Sequence, residues 1–481
     1  MIWVIASIVI VAVIASGVVQ RRANRIALRA VRRSHSRLDR FKLTKKAFIR
    51  QTLLADETIA RAVKEHAAEN AVDEAATWKR VDGYIDEIVP FFNILTYYKI
   101  GLVVSRVLLN FFYKVSAEHA AGSSAVTVPR DAIVIYLMNH RSNADYVLVG
   151  YVLSGRVAIS YAVGEWARTF PLEYIFKSFG AYFIRRKYRE KLYHTVLEQY
   201  VQLITRNGVT QGIFLEGGLS RDGKLGAAKI GLLDYVLGVA RDPAMRDRLY
   251  VVPVAINYDR VLEDRSLLRE LDAREGGRRP RLHVQLGEVL RYVWWNMARL
   301  VARRWKRYGR AAVVVGDPFA LGPWFDREDR ETGGLFGLER TDRLARVQLL
   351  SDSVLERIAA IIPVTPVSLA CAAIQSFDGD FISHQHLLER MSEMRDVLTE
   401  LNARVIHREG SVEEIFDRAW RMLRMRRMLV RTGAGYSVLA GNRPLVSYYA
   451  NSISHLLGPF AEGVRQRDQL PALAAGTVII P

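Results

Sequence analysis

The sequence predicts a layered α/β core on a mixed or parallel sheet of about seven strands, with an N-terminal membrane-anchor helix and helical regions at both ends. Three observations predict it. Between Asp131 and about Leu321, short runs rich in Val, Ile, Phe and Tyr alternate with helical segments, as strands buried on both faces do when helices connect them. Outside that stretch the alternation is lost: polar and rich in Ala, Arg and Glu before it, helical in period after it. Met1 to Val19 carries no charged side chain, a length that fits a bilayer core.

The order of elements follows from these patterns. Residues 1–20 are expected to anchor the chain. Arg21, Arg22, Arg25, Arg29, Arg32, Arg33, Arg37, Arg40, Lys42, Lys45, Lys46 and Arg50 follow, opposed only by Asp39. By the positive-inside bias, this places the body of the protein on the cytoplasmic side of the cell membrane. Residues 21–120 read as a basic, helical, membrane-associated region. Its apolar stretch Phe91–Val115 is interrupted by Lys99, Arg106 and Lys114, which fits helices lying in one leaflet better than a clean span. Residues 121–321 form the catalytic domain, with strands at Ala132–Met138, Val157–Val163, Ala181–Arg186, Gly212–Glu216, Tyr250–Asn257, Leu282–Leu286 and Ala311–Val315. Arg291–Arg310 sets tryptophans among basic residues, as a helix at the lipid interface or one packing its tryptophans on the core would. Residues 322–481 are mainly helical: a charged loop over Gly322–Thr341, then helices at Leu344–Ile362, Pro366–Phe377, Gln385–Val405 and Val412–Leu429, with no chemical signal beyond them.

The formal net charge of the 481 residues is +19, so an anionic partner is expected: phosphate ester, anionic lipid or nucleic acid. The run from Arg21 to Arg50 supplies over half of that excess, which directs it to anionic membrane lipid. No aromatic interleaving or recognisable module supports a nucleic-acid groove, and none is expected. The single cysteine, Cys371, excludes an intrachain disulfide and a multi-cysteine metal site. It reads as a core thiol.

Four motifs end predicted strands, where α/β folds place their sites. The first is His140-Arg141-Ser142-Asn143-Ala144-Asp145-Tyr146. His140 suits a base that deprotonates a hydroxyl, and Asp145 suits the acid that orients it and stabilises the imidazolium; an isolated histidine is otherwise a satisfied structural residue. The second is Phe183-Ile184-Arg185-Arg186, whose arginines offer forks for a phosphate or form surface ion pairs. The third, Phe214-Leu215-Glu216-Gly217-Gly218-Leu219-Ser220-Arg221, runs into a Gly-Gly turn whose backbone can approach a ligand. There Glu216 can bond a substrate hydroxyl or fix an arginine, and Arg221 can bind phosphate, with Lys229 a lesser candidate. The fourth, Pro253 through Asn257-Tyr258-Asp259-Arg260, reads by itself as a structural strand.

Together the four blocks resemble the glycerol-3-phosphate acyltransferase family. The resemblance runs from about Asp131 to Ile374, with Gly316-Asp317-Pro318 and Val364-Thr365-Pro366-Val367-Ser368 matching further on. It implies an acyltransferase that takes a long-chain acyl-CoA or acyl-carrier-protein thioester and glycerol 3-phosphate, acylating the sn-1 hydroxyl at the start of phospholipid synthesis. It implies no cofactor and no metal. It makes His140 and Asp145 catalytic, and Arg141, Ser142, Arg185, Arg186, Glu216, Gly217, Gly218, Ser220, Arg221 and Pro253 substrate-binding. Phosphate would fall to Arg186, Ser220 and Arg221, and amides near Gly217-Gly218 are candidate oxyanion donors. One position departs: the family usually has arginine where this chain has Leu219. That keeps open dihydroxyacetone phosphate or a lysophospholipid as acceptor, or a non-enzymatic basic scaffold at the membrane surface.

Overall fold

The computed structural model describes residues 41, 46–91, 101–120, 128–153, 159–164, 168, 172–185, 188–274 and 307–458. The expected anchor, most of the basic run, Arg186, the strand Leu282–Leu286 and residues 291–306 of the tryptophan-bearing helix lie outside them.

In the N-terminal region three helices form, α1 (Lys46–Leu54), α2 (Glu57–Asn70) and α3 (Glu74–Ile88). Asp56 caps α2 by accepting from the Thr58 and Ile59 amides, and Asp73 caps α3 through Ala76. Each cap satisfies amides that lack an intrahelical partner. Helix α4 (Leu102–Phe112) follows, with Val103, Val104, Val107 and Leu108 exposed.

The core continues as β1 (Lys114–His119), β2 (Ile133–Met138), α5 (Asp145–Leu153), β3 (Ser160–Gly164), α6 (Leu172–Ser178), β4 (Tyr182–Ile184), α7 (Lys191–Arg206), β5 (Gln211–Phe214), α8 (Gly231–Leu237), β6 (Leu249–Tyr258), α9 (Asp264–Arg274), β7 (Arg310–Val315) and β8 (Phe319–Ala320). These strands make one eight-stranded sheet in the order β4, β3, β5, β2, β6, β7, β1, with β8 beside β6. From β4 to β6 every pairing is parallel; β7 runs antiparallel to β6, and β1 is parallel to β7. The expected α/β class therefore holds. Strands β1 and β8 were not expected: Lys-Val-Ser-Ala-Glu-His is mostly exposed at the sheet edge and lacks a core pattern, and β8 is only two residues long.

The connection after β2 leads toward β3 on one side, and that after β5 leads across β2 to β6 on the other. A crevice opens where neighbouring connections diverge at the carboxyl ends of strands, here beyond Met138 and Phe214, which are paired in register.

Beyond the sheet come α10 (Gly322–Thr332), α11 (Arg340–Ala360), α12 (Pro366–Gln375), β9 (Phe381–Ser383), α13 (His384–Glu400), α14 (Val412–Met425), β10 (Leu429–Thr432), β11 (Gly435–Val438) and α15 (Arg443–Ala450). The loop expected over Gly322–Thr341 is thus half helix. Pro323 opens α10 and Gly333, at φ 74°, closes it, the placement that favours a short helix despite its charged composition. Strands β9 to β11 form a small antiparallel sheet. Helix α12, buried along nearly all its length, packs against α14 and α15 and carries Cys371, fully buried as expected.

Candidate active site

Strand β2 delivers His140 to the crevice through one prior contact. Asn139 extends the ladder with its side chain, donating from Nδ2 to the Ile256 carbonyl (2.9 Å) and accepting the Ile256 amide at Oδ1 (2.8 Å). The backbone beyond β2 is thereby fixed to β6 before the histidine is reached.

His140 is almost wholly buried, its ring stacked on Phe214 at 3.9 Å between centroids and edge-on to Tyr146 at 5.5 Å. Nδ1 lies 3.0 Å from Asp145 Oδ2. Donation of Nδ1–H to that carboxylate leaves the basic lone pair on Nε2, the nitrogen that takes a proton. Asp145 is the first residue of α5, where the helix dipole favours a negative charge. Its Oδ2 also accepts the amides of Arg141 (2.7 Å) and Ser142 (3.0 Å), and its Oδ1 accepts the Tyr258 hydroxyl (2.6 Å). Burial and the neighbouring Asp145 raise the Tyr258 pKa well above its ordinary value, so this hydroxyl remains a donor.

Glu216, at the end of β5, spans the crevice floor. Oε1 accepts the His140 amide (2.8 Å) and Oε2 the Gly226 amide (2.9 Å). Burial pushes its carboxyl up to about 7, against the lowering effect of those two amides. Of the two roles the sequence left open, hydroxyl binding and arginine fixing, its contacts show neither: Glu216 holds the backbone that carries the base. The following turn needs Gly217, at φ 62°, where an added Cβ would meet the Lys229 side chain at 2.8 Å. The Gly217 amide donates to Phe214 O (3.0 Å), which removes it from the oxyanion candidates. Ser220 is drawn to the same corner, its amide donating to His140 O (3.1 Å) and its hydroxyl to Lys224 O (2.7 Å). Gly218 and Leu219 are part-exposed on this turn, Leu219 leaning on the core.

The other expected binding residues are placed differently. Ser142 donates its hydroxyl to Glu263 (2.7 Å). Arg185 makes a fork with Glu87 of α3, at 2.8 and 2.5 Å, tying the N-terminal helices to β4; its contacts are structural. Arg221 pairs with Glu270 of α9 (3.0 Å) at the surface, and Lys229 is exposed.

Pro253, expected at the substrate, is placed within the sheet. It lies buried inside β6, opposite Leu137 in β2. Its carbonyl accepts the Gly316 amide (2.8 Å), so its nitrogen faces the same side, in the interval between β8, which pairs at Tyr250 and Val251, and β7, which begins at Val254. A missing N–H costs no ladder bond there.

Tyr258, Asn139 and Glu263 are the residues that sequence reasoning missed. Tyr258 stood inside the fourth motif and Asn139 immediately before the first, both at strand ends; Glu263 had no signal.

A layered α/β sheet that holds a buried His–Asp pair beyond its central strand, beside a Gly-Gly turn, is the framework of an acyltransferase domain. Residues 123–257 match the family described as Acyltransferase, and residues 294–461 match the glycerol-3-phosphate acyltransferase C-terminal region. The chain thus joins an acyltransferase domain to a region similar to the C-terminal part of glycerol-3-phosphate acyltransferases. The glycerol-3-phosphate acyltransferase of Aeromonas hydrophila is 26% identical over 422 residues, covering 86% of this chain and 50% of that protein. That of Actinobacillus succinogenes is 26% identical over 441 residues, covering 89% and 50%. The chain thus spans about half the length of the curated relatives it matches. A solved structure, the 1-acyl-sn-glycerophosphate acyltransferase of Thermotoga maritima, is 18% identical and covers 54% of this chain and 78% of its own, at a TM-score of 0.29.

Proposed function

We propose that this chain is a glycerol-3-phosphate 1-O-acyltransferase, transferring a long-chain acyl group from a coenzyme A or acyl-carrier-protein thioester to the sn-1 hydroxyl. The observation that carries this reading is the His140–Asp145 pair, buried, 3.0 Å apart and set at the carboxyl end of the sheet. The family and the names of the relatives support the choice of acceptor.

In this reading His140 Nε2 takes the hydroxyl proton as the alcohol oxygen attacks the thioester carbonyl. The carbon–sulfur bond then breaks, and the imidazolium returns its proton to the leaving thiolate. Asp145 orients the ring and balances the transient charge. Because the donor is already a thioester, no serine or cysteine nucleophile is needed, consistent with the single, buried Cys371.

The reading places the enzyme at the cell membrane with its catalytic domain on the cytoplasmic side. Among the described residues no helix is long and apolar enough to cross a membrane. Support comes instead from the uncharged run Met1–Val19, the basic residues after it and the exposed apolar face of α4. A face carrying Val103, Val104, Val107 and Leu108 beside Arg106 suits a helix lying in anionic lipid.

The test is thiol release from palmitoyl-CoA by the detergent-purified chain, with and without glycerol 3-phosphate, beside His140→Ala. Release should require both the acceptor and His140, and the variant should fall by about 10³-fold or more. Undiminished turnover in the folded variant would sink the assignment of the base.

A further inference from the structure

Behind the Glu216 clamp lies a small polar cavity lined by Asn139, Arg141, Glu216, Gly223, Asn257 and Ser452, among others. Arg141, Glu216 and Lys224 are the charged groups in its wall; Lys224 is exposed, whereas only 3% of Arg141 is. Its Nη1 donates to the Gly223 carbonyl, and its guanidinium lies over the Tyr448 ring, 5.0 Å from the centroid. Nε and Nη2 are buried and meet no hydrogen-bond acceptor. The carboxylate lining the same cavity, Glu216, already accepts two backbone amides. A buried cation with two idle donors is costly unless an anion completes it, and a guanidinium edge matches two phosphate oxygens.

We propose that Arg141 receives the phosphate of the acceptor, and that the C-terminal region forms the far wall of that phosphate site. This rests on the reading of the chain as an acyltransferase of phosphorylated alcohols and changes its acceptor assignment. Of the groups expected to hold the phosphate, Arg221 is engaged at the surface by Glu270 and the Ser220 hydroxyl by the Lys224 carbonyl, while Arg186 lies outside the described residues. Glu216, which accepts the His140 amide, also lines the cavity, so the cavity and the backbone of the base share one residue.

The free space is about 10 Å³, room for about one water. A phosphate must therefore displace part of the wall. The contacts that would have to part are those of the segment after α15. Asn451 Nδ2 donates to Asp222 O (2.8 Å), and Asn257 Nδ2 donates to Ser452 Oγ (3.2 Å). Tyr448 seats the glycine loop: a Cβ on Gly223, at φ 87°, would lie 1.9 Å from the Tyr448 carbonyl oxygen. The C-terminal segment thus touches both the arginine and the loop that carries Ser220.

The experiment compares the full-length, detergent-purified chain with Arg141→Gln and Arg141→Lys. Three quantities are read: saturable thermal stabilisation by inorganic phosphate, KM for glycerol 3-phosphate and for palmitoyl-CoA, and preference for glycerol 3-phosphate over glycerol. Arg141→Gln should lose the phosphate stabilisation, raise the acceptor KM by about a hundredfold and erase most of the preference, with the palmitoyl-CoA KM unchanged. Lysine keeps the charge without the fork and should fall between; it decides the matter if the glutamine variant does not fold. An unchanged acceptor KM with undiminished phosphate stabilisation would overturn the proposal. So would a rise confined to the palmitoyl-CoA KM, which would give the anion to the donor's phosphates. If the wild-type chain takes phosphate through Arg141 yet acylates no glycerol 3-phosphate, the phosphate site stands and the reading of the function fails.

Discussion

Asp145 and Arg141 lie four residues apart, both buried, and their surroundings are opposite in kind. Asp145 accepts four hydrogen bonds, from His140, Arg141, Ser142 and Tyr258, all within 3.0 Å. Arg141 has one carbonyl acceptor, an aromatic face and two buried N–H groups without a partner. The base side of the site is complete before any substrate arrives. The Arg141 side is not. Preorganised dipoles favour the transition state because they need no rearrangement when charge develops, so the base side suits chemistry. An incomplete cation suits recognition, because only the right anion removes its penalty.

The largest expected effect breaks the complete side. In Asp145→Asn the amide oxygen can still accept from His140, Arg141 and Ser142, while the new NH₂ can donate to the Tyr258 hydroxyl. Shape and hydrogen bonds survive and the charge is lost. We expect kcat to fall by about 10³–10⁴-fold, with little change in melting temperature. A melting temperature lowered in proportion to the activity would make the residue structural. Tyr258→Phe acts one contact further out, removing the donor to Asp145 Oδ1. A hydrogen bond to a charged group is worth about 1.5–3 kcal/mol, so kcat should drop by about tenfold or more, with the acceptor KM unmoved. An acceptor KM that rises instead would place Tyr258 with the substrate.

The His140–Asp145 proximity was legible in the sequence and the surroundings of the arginines were not, for physical reasons. The strand-then-His-then-Asp spacing marks a pair that closes locally within one turn, so residues five apart in sequence meet in space. Tyr258 joins them because β2 and β6 are parallel neighbours, a pairing no motif encodes. Arg185 and Arg186 look alike in sequence, yet Arg185 is matched to Glu87, nearly a hundred residues away. Pro253 stood out in its block and proved to be a strand residue placed where no ladder donor is needed. Helix α10 escaped because its charged composition resembles a loop, while Pro323 and Gly333 supply its ends. The segment beyond Leu429 carried no chemical signal because its contacts are hydrogen bonds to residues far away in sequence: the Tyr449 hydroxyl donates to Asp264 (2.6 Å) and Asn451 to Asp222 O (2.8 Å).

Glu216 belongs to both sides, since it holds the His140 amide and faces the Arg141 cavity. Its carboxyl is pushed from an ordinary 4.5 up to about 7 by burial. A carboxyl raised in the folded state binds a proton more tightly there than in the unfolded chain. Stability should therefore fall as pH rises from about 4.5 to about 7, by on the order of 3 kcal/mol from this group alone, and level off above. Glu216→Gln should flatten that slope. It should also cost stability at low pH, because its NH₂ would face one of the two backbone amides. Denaturant melts of both proteins from pH 4.5 to 8 check this; equal slopes would mean that Glu216 ionises as it does in the unfolded chain.

The smallest expected effect sharpens the contrast between the two arginines that follow strand ends. Arg221 is part-exposed and pairs with Glu270, itself more than half exposed. Exposed pairs of this kind contribute about 0–1 kcal/mol, so Arg221→Ala should leave the melting temperature nearly unchanged. If Arg141 carries the phosphate, the acceptor KM of Arg221→Ala should rise by only about threefold, through the loss of a nearby positive charge that steers an anion inward. That rise should shrink as ionic strength increases, whereas the defect of Arg141→Gln should persist, since a buried contact is screened little. A salt-resistant hundredfold rise in Arg221→Ala would reverse the order of the two residues. The phosphate would then be held at the turn after β5, and the idle donors of Arg141 would need another anion.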